Sequence, residues 1–409
     1  MKNLFAITLG ILTAIGGFVD IGDLVTNGLV GARFGLSLVW ATLVGLIGIC
    51  LYAEMSGRVA AVSGRATFDL VRERLGPRAG LANLVASFLV TGLTFTAEIG
   101  GIALSLELAS SVNYLLWVPL AALLLWFTLW RVKFTALENG SGLLGLALVV
   151  FGVALWQLHP DFGSLAHQVV HPHKPAGEGT LTYFYYAIAL FGAAMTPYEV
   201  FFFSSGGVEE HWSRKDLFTA RLNVFVGFPL GAALSICIAA VAALVLKPAS
   251  ISVDNLGQVA LPVAVALGKL GLAVAILGFV AATFGAALET GLSCGYSVAQ
   301  YFGWQWGKFV RPREAARFHL VVLLSLILAT GVVLTTIDPV TVTEYSVVFS
   351  AIALPLTYFP ILVISNDRDY MGDHVNGRLT NALSSVFLVI IVVAAVAAIP
   401  LMLLTKAGQ

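Results

Sequence analysis

Charge is what this chain has least of. Only 11% of its 409 residues are Asp, Glu, Lys or Arg, while 59% are hydrophobic and mean hydropathy is +0.93. A soluble domain carries roughly 25% charged residues, so a water-soluble globular protein is excluded. Formal net charge is zero, so bulk electrostatics point to no partner, and neither a nucleic-acid partner nor an obligate protein partner is expected. Cysteine is scarce too. Cys50, Cys237 and Cys294 all fall inside apolar runs, form no metal spacing and no evident disulfide pair, and read as small buried hydrophobes. The sequence has no H-E-x-x-H, and no histidine lies in mid-membrane, which argues against an intramembrane hydrolase. No cleavable signal is expected, because the first apolar run is too long and lacks a small-residue cleavage site. No soluble domain separates from the rest. The longest polar stretch, residues 157–180 with His159, His167, His171 and His173, reads as a solvated loop.

Apolar runs fill the chain instead. A helix needs about 20 residues to cross a bilayer, and eleven such spans are expected. They lie at about 4–32, 36–56, 80–106, 114–131, 137–156, 181–205, 218–246, 270–302, 318–336, 343–365 and 382–404. Between the seventh and eighth, "SISVDNLGQVALPVAVALGK" reads as an extracellular loop with a short helix. Most of the 22 Lys and Arg follow even-numbered spans: Arg58 to Arg78, Arg131 and Lys133, Arg214 to Arg221, Lys308 to Arg317, Arg368 and Arg378. Basic residues collect on the cytoplasmic side. The N-terminus is therefore expected in the cytoplasm and the C-terminus outside, in the plasma or inner membrane of a prokaryote. The single transmembrane domain covers 1–409.

Against that background, two aspartates in the first span need a reason. Asp20 and Asp23 sit in "GGFVDIGDLV", where a carboxylate costs about 2.5–3.5 kcal/mol on insertion scales and marks a functional site by default. Glycines surround them, so a helix break near Asp20 to Gly22 is expected, facing a polar cavity, since irregular backbone at that depth is tolerated only there. The sixth span carries a second interruption, "GAAMTPYEVFFFSS". There Pro197 removes a backbone donor and Glu199 adds a carboxylate. Two broken helices five spans apart match the inverted repeats of secondary transporters, whose broken helices meet at the midplane. Glu98 and Glu289 are further buried acids. Few basic residues share the interior with these five, which leaves protonation or a bound cation to neutralise them. A cation is the reading favoured here.

The motifs resemble those of the NRAMP (natural resistance-associated macrophage protein) family of divalent metal transporters. The family's D-P-G-N, then A-T-N/D, then G-A-x-F-G is similar to Asp20-Ile21-Gly22-Asp23, Val25-Thr26-Asn27 and Gly31-Ala32-Arg33-Phe34-Gly35, in register without gaps. In helix six the family's alanine, two residues, then M-P-H is similar to Ala193 followed by Thr196-Pro197-Tyr198. "TAEIGGIAL", "TGLSCG" and "NDRDYMGDHVNGR" are further echoes, so the resemblance covers nearly the whole chain.

The resemblance implies an all-α polytopic membrane protein of the LeuT type: two inverted five-helix repeats, about 4–156 and 181–365, an extra helix at about 382–404, and interruptions in helices 1 and 6. It implies a metal site of Asp20, Asp23, the backbone carbonyl of Ala193, and Thr196, with breaks at Gly22 and Pro197. Four departures bear on chemistry. Ile21 replaces the motif proline, Asp23 an asparagine, Thr196 the metal-binding methionine, and Tyr198 a histidine linked to proton movement. Phe95 stands where the family has an acid three residues before Glu98, and Arg317 matches a basic residue at the inner end of helix nine. Glu199 and Glu289 lie outside the family pattern and are open as ligands or proton carriers. An all-oxygen set without sulfur suits Mg²⁺ or Mn²⁺. The expected function is a secondary importer of a hard divalent cation, working by alternating access with weak or no proton coupling. It needs no permanently bound cofactor and has the lipid bilayer and the metal substrate as partners. A LeuT-type carrier of an organic solute such as an amino acid, coupled to Na⁺ or H⁺, is the competing reading; an enzyme is not expected.

Overall fold

The computed structural model describes residues 18–408, without the side chains of residues 135, 138, 139, 141 and 144. The expected first half of span one, with Gly16 and Gly17, lies outside the described residues.

Every regular element among the described residues is a helix. After an extended pair at Val19 and Asp20 come α1 (Ile21–Phe34), α2 (Val39–Ser63), α3 (Thr67–Leu75), α4 (Pro77–Ser110), α5 (Tyr114–Arg131), α6 (Phe134–Gly145), α7 (Val149–Gln157) and α8 (Phe162–Val170). Then follow α9 (Thr180–Ala194), α10 (Pro197–Glu209), α11 (Leu217–Leu222), α12 (Phe228–Val245), α13 (Leu256–Phe302), α14 (Ala316–Leu334), α15 (Pro339–Ser365), α16 (Arg368–Met371) and α17 (Arg378–Leu404). Among the described residues nine helices are long and apolar enough to cross a membrane, or ten if the bent pair Leu146–Gln157 and Phe162–Val170 is one span. The nine coincide with expected spans two to four and six to eleven.

Local chemistry explains where the helices start. Proline occupies the first turn of α4, α10 and α15, where its missing N–H costs nothing and its φ is already helical. Asn113 caps α5 and Asp338 caps α15. Asn255 and Gln258 form a reciprocal capping box on α13, the pattern that satisfies two orphan donors at once. The short helix expected between spans seven and eight is the first part of α13. It turns at Gly268, whose φ of +66° lies in the region only glycine enters freely.

Two expectations need correction. Residues 157–180 are not all loop. Asp161 caps Gly163 N–H and starts α8, bent 111° from the preceding helix. Leu165 and Val169 of α8 pack against the cluster of Leu36, Val39, Ala239 and Ala240, which rewards a helix that a polar reading of the segment overlooks. Helix α1 begins at Ile21, after the non-helical Val19 and Asp20, so Gly22 does not mark a break. Gly22 is already inside α1, and a Cβ there would meet Val347 Cγ1 at 2.8 Å. Its small size serves the approach of α15, while Asp20 ends the extended segment by capping the new helix.

Close approach recurs between α1 and α12. A Cβ on Gly31 would lie 2.2 Å from the carbonyl oxygen of Ala239 and 2.8 Å from its Cα, so the two backbones touch, as small residues allow in membrane bundles. Gly192 meets Val347 O in the same way, at 2.5 Å, and brings α9 onto α15. The segment after α15 is tied back by Arg58 of α2, which bonds the carbonyl of His374 and the side chain of Asn376.

Gly31→Ala should lower the thermal unfolding temperature in detergent, with a loss of about 1–3 kcal/mol from overpacking. Gly92, whose added Cβ would meet nothing within 4 Å, is the control. Gly92→Ala should be neutral or gain about 0.5–1 kcal/mol. Equal melting of the two variants would refute the backbone contact.

Candidate metal centre

The site is built around the N-terminus of a half-helix. Asp20 is the N-cap of α1, with φ −104° and ψ −175°, and its Oδ1 accepts the N–H of Asp23 at 2.9 Å. The next orphan donor, Ile21 N–H, is taken by Oε1 of Glu98 on α4 at 3.1 Å. Asp23 stands in the first turn. Three carboxyl groups thus surround one helix N-terminus, where the macrodipole favours negative charge. All three are buried. Among the described residues the ion pairs lie elsewhere, at Arg33–Glu178, Arg58–Glu54, Arg65–Glu73, Arg74–Asp367 and Arg221–Glu54. Glu98 Oε2 is buried with no protein partner among the described residues.

The second break faces this terminus. Helix α9 ends at Ala194, Met195 and Thr196 are non-helical, and α10 restarts at Pro197. Tyr358 of α15 donates to the freed Met195 carbonyl at 3.3 Å. Tyr198, in the first turn of α10, donates to Asp20 Oδ2 at 3.4 Å, a long contact that joins the two half-helices.

Between the breaks lies a cavity of about 10 Å³, room for a single water. Asp20, Gly22 and Thr196 line it, together with the hydroxyl-bearing Thr94, Thr343, Ser346 and Ser350. Thr94 and Ser346 also bond to each other at 2.9 Å. The polar groups of the lining are therefore one carboxylate and five hydroxyls, hard oxygens without a soft ligand, set among the apolar Ile21, Ala97 and Val347. Such a set suits a small hard cation. Among the described residues no three His, Cys, Asp or Glu side chains are gathered as a ready-made metal cage.

The structure brings Asp20, Thr196, Tyr198 and Gly22 together and separates the other expected ligands. Asp23 turns to Asn27, whose Nδ2 donates to Oδ1 at 3.0 Å, and to Ser235 of α12. Ala193 is packed in the last turn of α9 with Phe34, Tyr183 and Val348 and does not line the cavity. Glu199 and Glu289 hydrogen-bond to each other across α10 and α13. Arg317 is exposed at the start of α14, its guanidinium 5.3 Å from the Trp304 ring centre, away from the site. The residues that sequence reasoning missed are Thr94, Thr343, Ser346 and Ser350. The last three had a signal: spaced by three and four residues, they form one polar stripe along an apolar helix.

Tyr198 also borders a second cavity of about 10 Å³, lined by Ser87, Thr91, Ser293, Ser297 and Gln300 among others. The Phe68 and Phe201 rings, edge to face at 4.8 Å, stand beside it. Tyr198 thus separates two small polar spaces, one on the Asp20 side and one between α3, α4, α10 and α13.

Comparison with known proteins bears on the family and the fold. The model of the family described as "Nramp: Natural resistance-associated macrophage protein-like" matches residues 10–400. The divalent metal cation transporter MntH of Pectobacterium carotovorum is 22% identical over 386 residues, covering 92% of this chain and 89% of that protein. A crystal structure of a mutant of the Eremococcus coleocola manganese transporter superposes with a TM-score of 0.76 at 17% identity, covering 98% of this chain and 87% of that one. The nucleobase-cation-symport-1 family transporter Mhp1 gives 0.61 at 18% identity, covering 97% and 92%. The fold is that of the LeuT-type transporters.

Glu98→Ala leaves the Ile21 N–H buried and unpaired, at a cost of about 1–3 kcal/mol. Glu98→Gln keeps an amide oxygen as acceptor. Thermal unfolding in detergent should place the alanine variant clearly below the glutamine variant. Equal stability would mean that Glu98 does not hold the half-helix.

Proposed function

The chain belongs to the natural resistance-associated macrophage protein-like family, and from that membership we propose that it is a secondary transporter carrying a divalent metal cation across the membrane by alternating access. It is an integral membrane protein and not an enzyme. The observation that carries the reading is the shared cavity of Asp20 and Thr196, one from each broken helix. A substrate bound there touches both half-helices, so their relative movement opens the site to one side or the other.

The metal is a hard one, Mg²⁺ or Mn²⁺. Supporting this is that the polar groups lining the cavity are all oxygens, with Thr196 where the family places a methionine. Asp20 is the central ligand. Asp23 and the Ala193 carbonyl complete the set in another conformation of the two half-helices, a rotation that would turn them from Ser235 and the α9 packing. Import is the direction, with the N-terminus cytoplasmic and the C-terminus outside, as the basic residues at the span ends favour. The inverted repeats run from about 4 to 156 and 181 to 365, with the helix at about 382–404 added. Proton coupling is weak or absent, because Tyr198 and Phe95 cannot exchange protons near neutral pH where the family has groups that can. An organic solute is disfavoured by a cavity of about 10 Å³.

The test is uptake by proteoliposomes across a panel of Mg²⁺, Mn²⁺ and Cd²⁺ with internal pH followed in parallel. Wild type should take up Mg²⁺ or Mn²⁺ without acidification, and Asp20→Asn should lose at least about tenfold in apparent affinity, or 1.4 kcal/mol. Wild-type transport by Asp20→Asn would remove the proposed site, and strong metal-driven acidification would remove the uncoupled reading.

Thr196→Met places a thioether at the break and should raise Cd²⁺ affinity relative to Mg²⁺ by about tenfold, again 1.4 kcal/mol. Competition of the two metals measures this as a ratio, which a general folding defect does not move. A ratio equal to wild type in a folded variant would show that this position does not select the ion.

A further inference from the structure

A second concave space shares no lining residue with the cavity between the half-helices. A cleft of about 740 Å³ opens where the end of α5 meets the segment between α13 and α14. Its lining includes Arg131, Lys133, Lys308, Arg311, Arg313 and His319, with Glu314 the single acid. Trp130 stands at its edge, with the Arg131 guanidinium 5.0 Å from its ring centre. Tryptophan favours the headgroup level of a bilayer, so the cleft opens at that depth.

Basic residues at span ends orient membrane proteins during insertion, and that role alone accounts for their number. It does not account for their convergence on one cleft, nor for the cleft's rigidity. Glu209, the last residue of α10, accepts the backbone N–H of Lys308 at 2.6 Å and of Phe309 at 3.0 Å, and the hydroxyl of Tyr296 at 2.8 Å. The Lys308 ammonium in turn caps the carbonyls of Thr128 and Leu129 at the end of α5. Burial pushes this ammonium down to about 8, so it stays mostly charged at neutral pH. One wall of the cleft is thus clamped to α5, α10 and α13. In that setting His319 Nε2 is buried without a protein partner, while Lys133, Arg311 and Arg313 are exposed and enter none of the ion pairs found among the described residues.

We propose that this cleft binds the phosphate of an anionic phospholipid headgroup. Arg131, Lys133, Arg311 and Arg313 supply charge, His319 supplies a hydrogen bond, and the Glu209 clamp holds the Lys308 wall in place. Basic pockets between membrane helices recognise such headgroups, and guanidinium groups match phosphate oxygens two at a time. The acyl chains lie along the lipid-facing side of α5, where Leu116, Leu123 and Phe127 are exposed.

Native mass spectrometry of the full-length protein in detergent tests this without any transported ion, so its outcome is independent of the transport reading. Wild type titrated with dioleoyl phosphatidylglycerol should retain one molecule at least fivefold more tightly than dioleoyl phosphatidylcholine. The triple variant Lys133→Gln, Arg311→Gln, Arg313→Gln should lose that preference, whereas Arg78→Gln, Arg214→Gln, Lys215→Gln, which removes equal charge elsewhere, should keep it. Equal retention of the two lipids by wild type, or equal loss in both triple variants, would overturn the proposal. Displacement of the lipid by millimolar inorganic phosphate would also overturn it, assigning the cleft to a soluble anion instead.

Discussion

A helix broken inside a bilayer exposes backbone donors and acceptors that lipid cannot satisfy, and this fold answers that demand at two adjacent places. At the first break, Asp20 takes the N–H of Asp23 and Glu98 takes that of Ile21. At the second, Tyr358 supplies a donor to the Met195 carbonyl. The partners come from α4 and α15, helices distant in sequence. The half-helices therefore exist only because the surrounding bundle supplies what water would supply elsewhere. Carboxylates do this work at the N-terminus because the helix dipole lowers the cost of their charge there.

That arrangement has a consequence for selectivity. The acids that hold the helix end commit one oxygen each to it, and Glu98 keeps its Oε2 without a protein partner among the described residues. Asp20 gives Oδ1 to its own helix and faces Tyr198 with Oδ2. The rest of the lining is neutral: hydroxyls of Thr94, Thr196, Thr343, Ser346 and Ser350, with the apolar Ile21, Ala97 and Val347. A site with modest charge and no soft atom matches a small hard cation. Glu199 and Glu289 form a second pair of neighbouring acids, on the facing helices α10 and α13.

Close packing then decides how the breaks sit relative to the bundle. Gly31 brings α1 onto the backbone of α12, and Gly192 brings α9 onto α15. Gly22 lets Val347 approach beside Asp20. Side chains at these positions would push apart the elements that line the cavity. Small residues far apart in sequence thereby control the width of the polar space between the half-helices.

How much of this was legible in the chain follows from the range of each interaction. Span positions, the interruption at Pro197 and the unusual acids at Asp20, Glu98 and Glu199 are local properties. Hydropathy, a missing N–H and a carboxylate in an apolar run declare themselves without knowledge of any neighbour. The amino-acid order by itself therefore determined a polytopic helical bundle with two broken helices. The facing of each side chain is a different matter, because it depends on how a helix is rotated against partners hundreds of residues away. Only the packed bundle turned Asp23 toward Ser235, paired Glu199 with Glu289, placed Glu98 on the Ile21 amide, and put Gly22 inside a helix that starts at Ile21. It also turned the Thr343, Ser346 and Ser350 stripe inward. A helical period is written in the sequence; its phase relative to a neighbouring helix is set by contacts between ridges and small-residue grooves that exist only in the folded state.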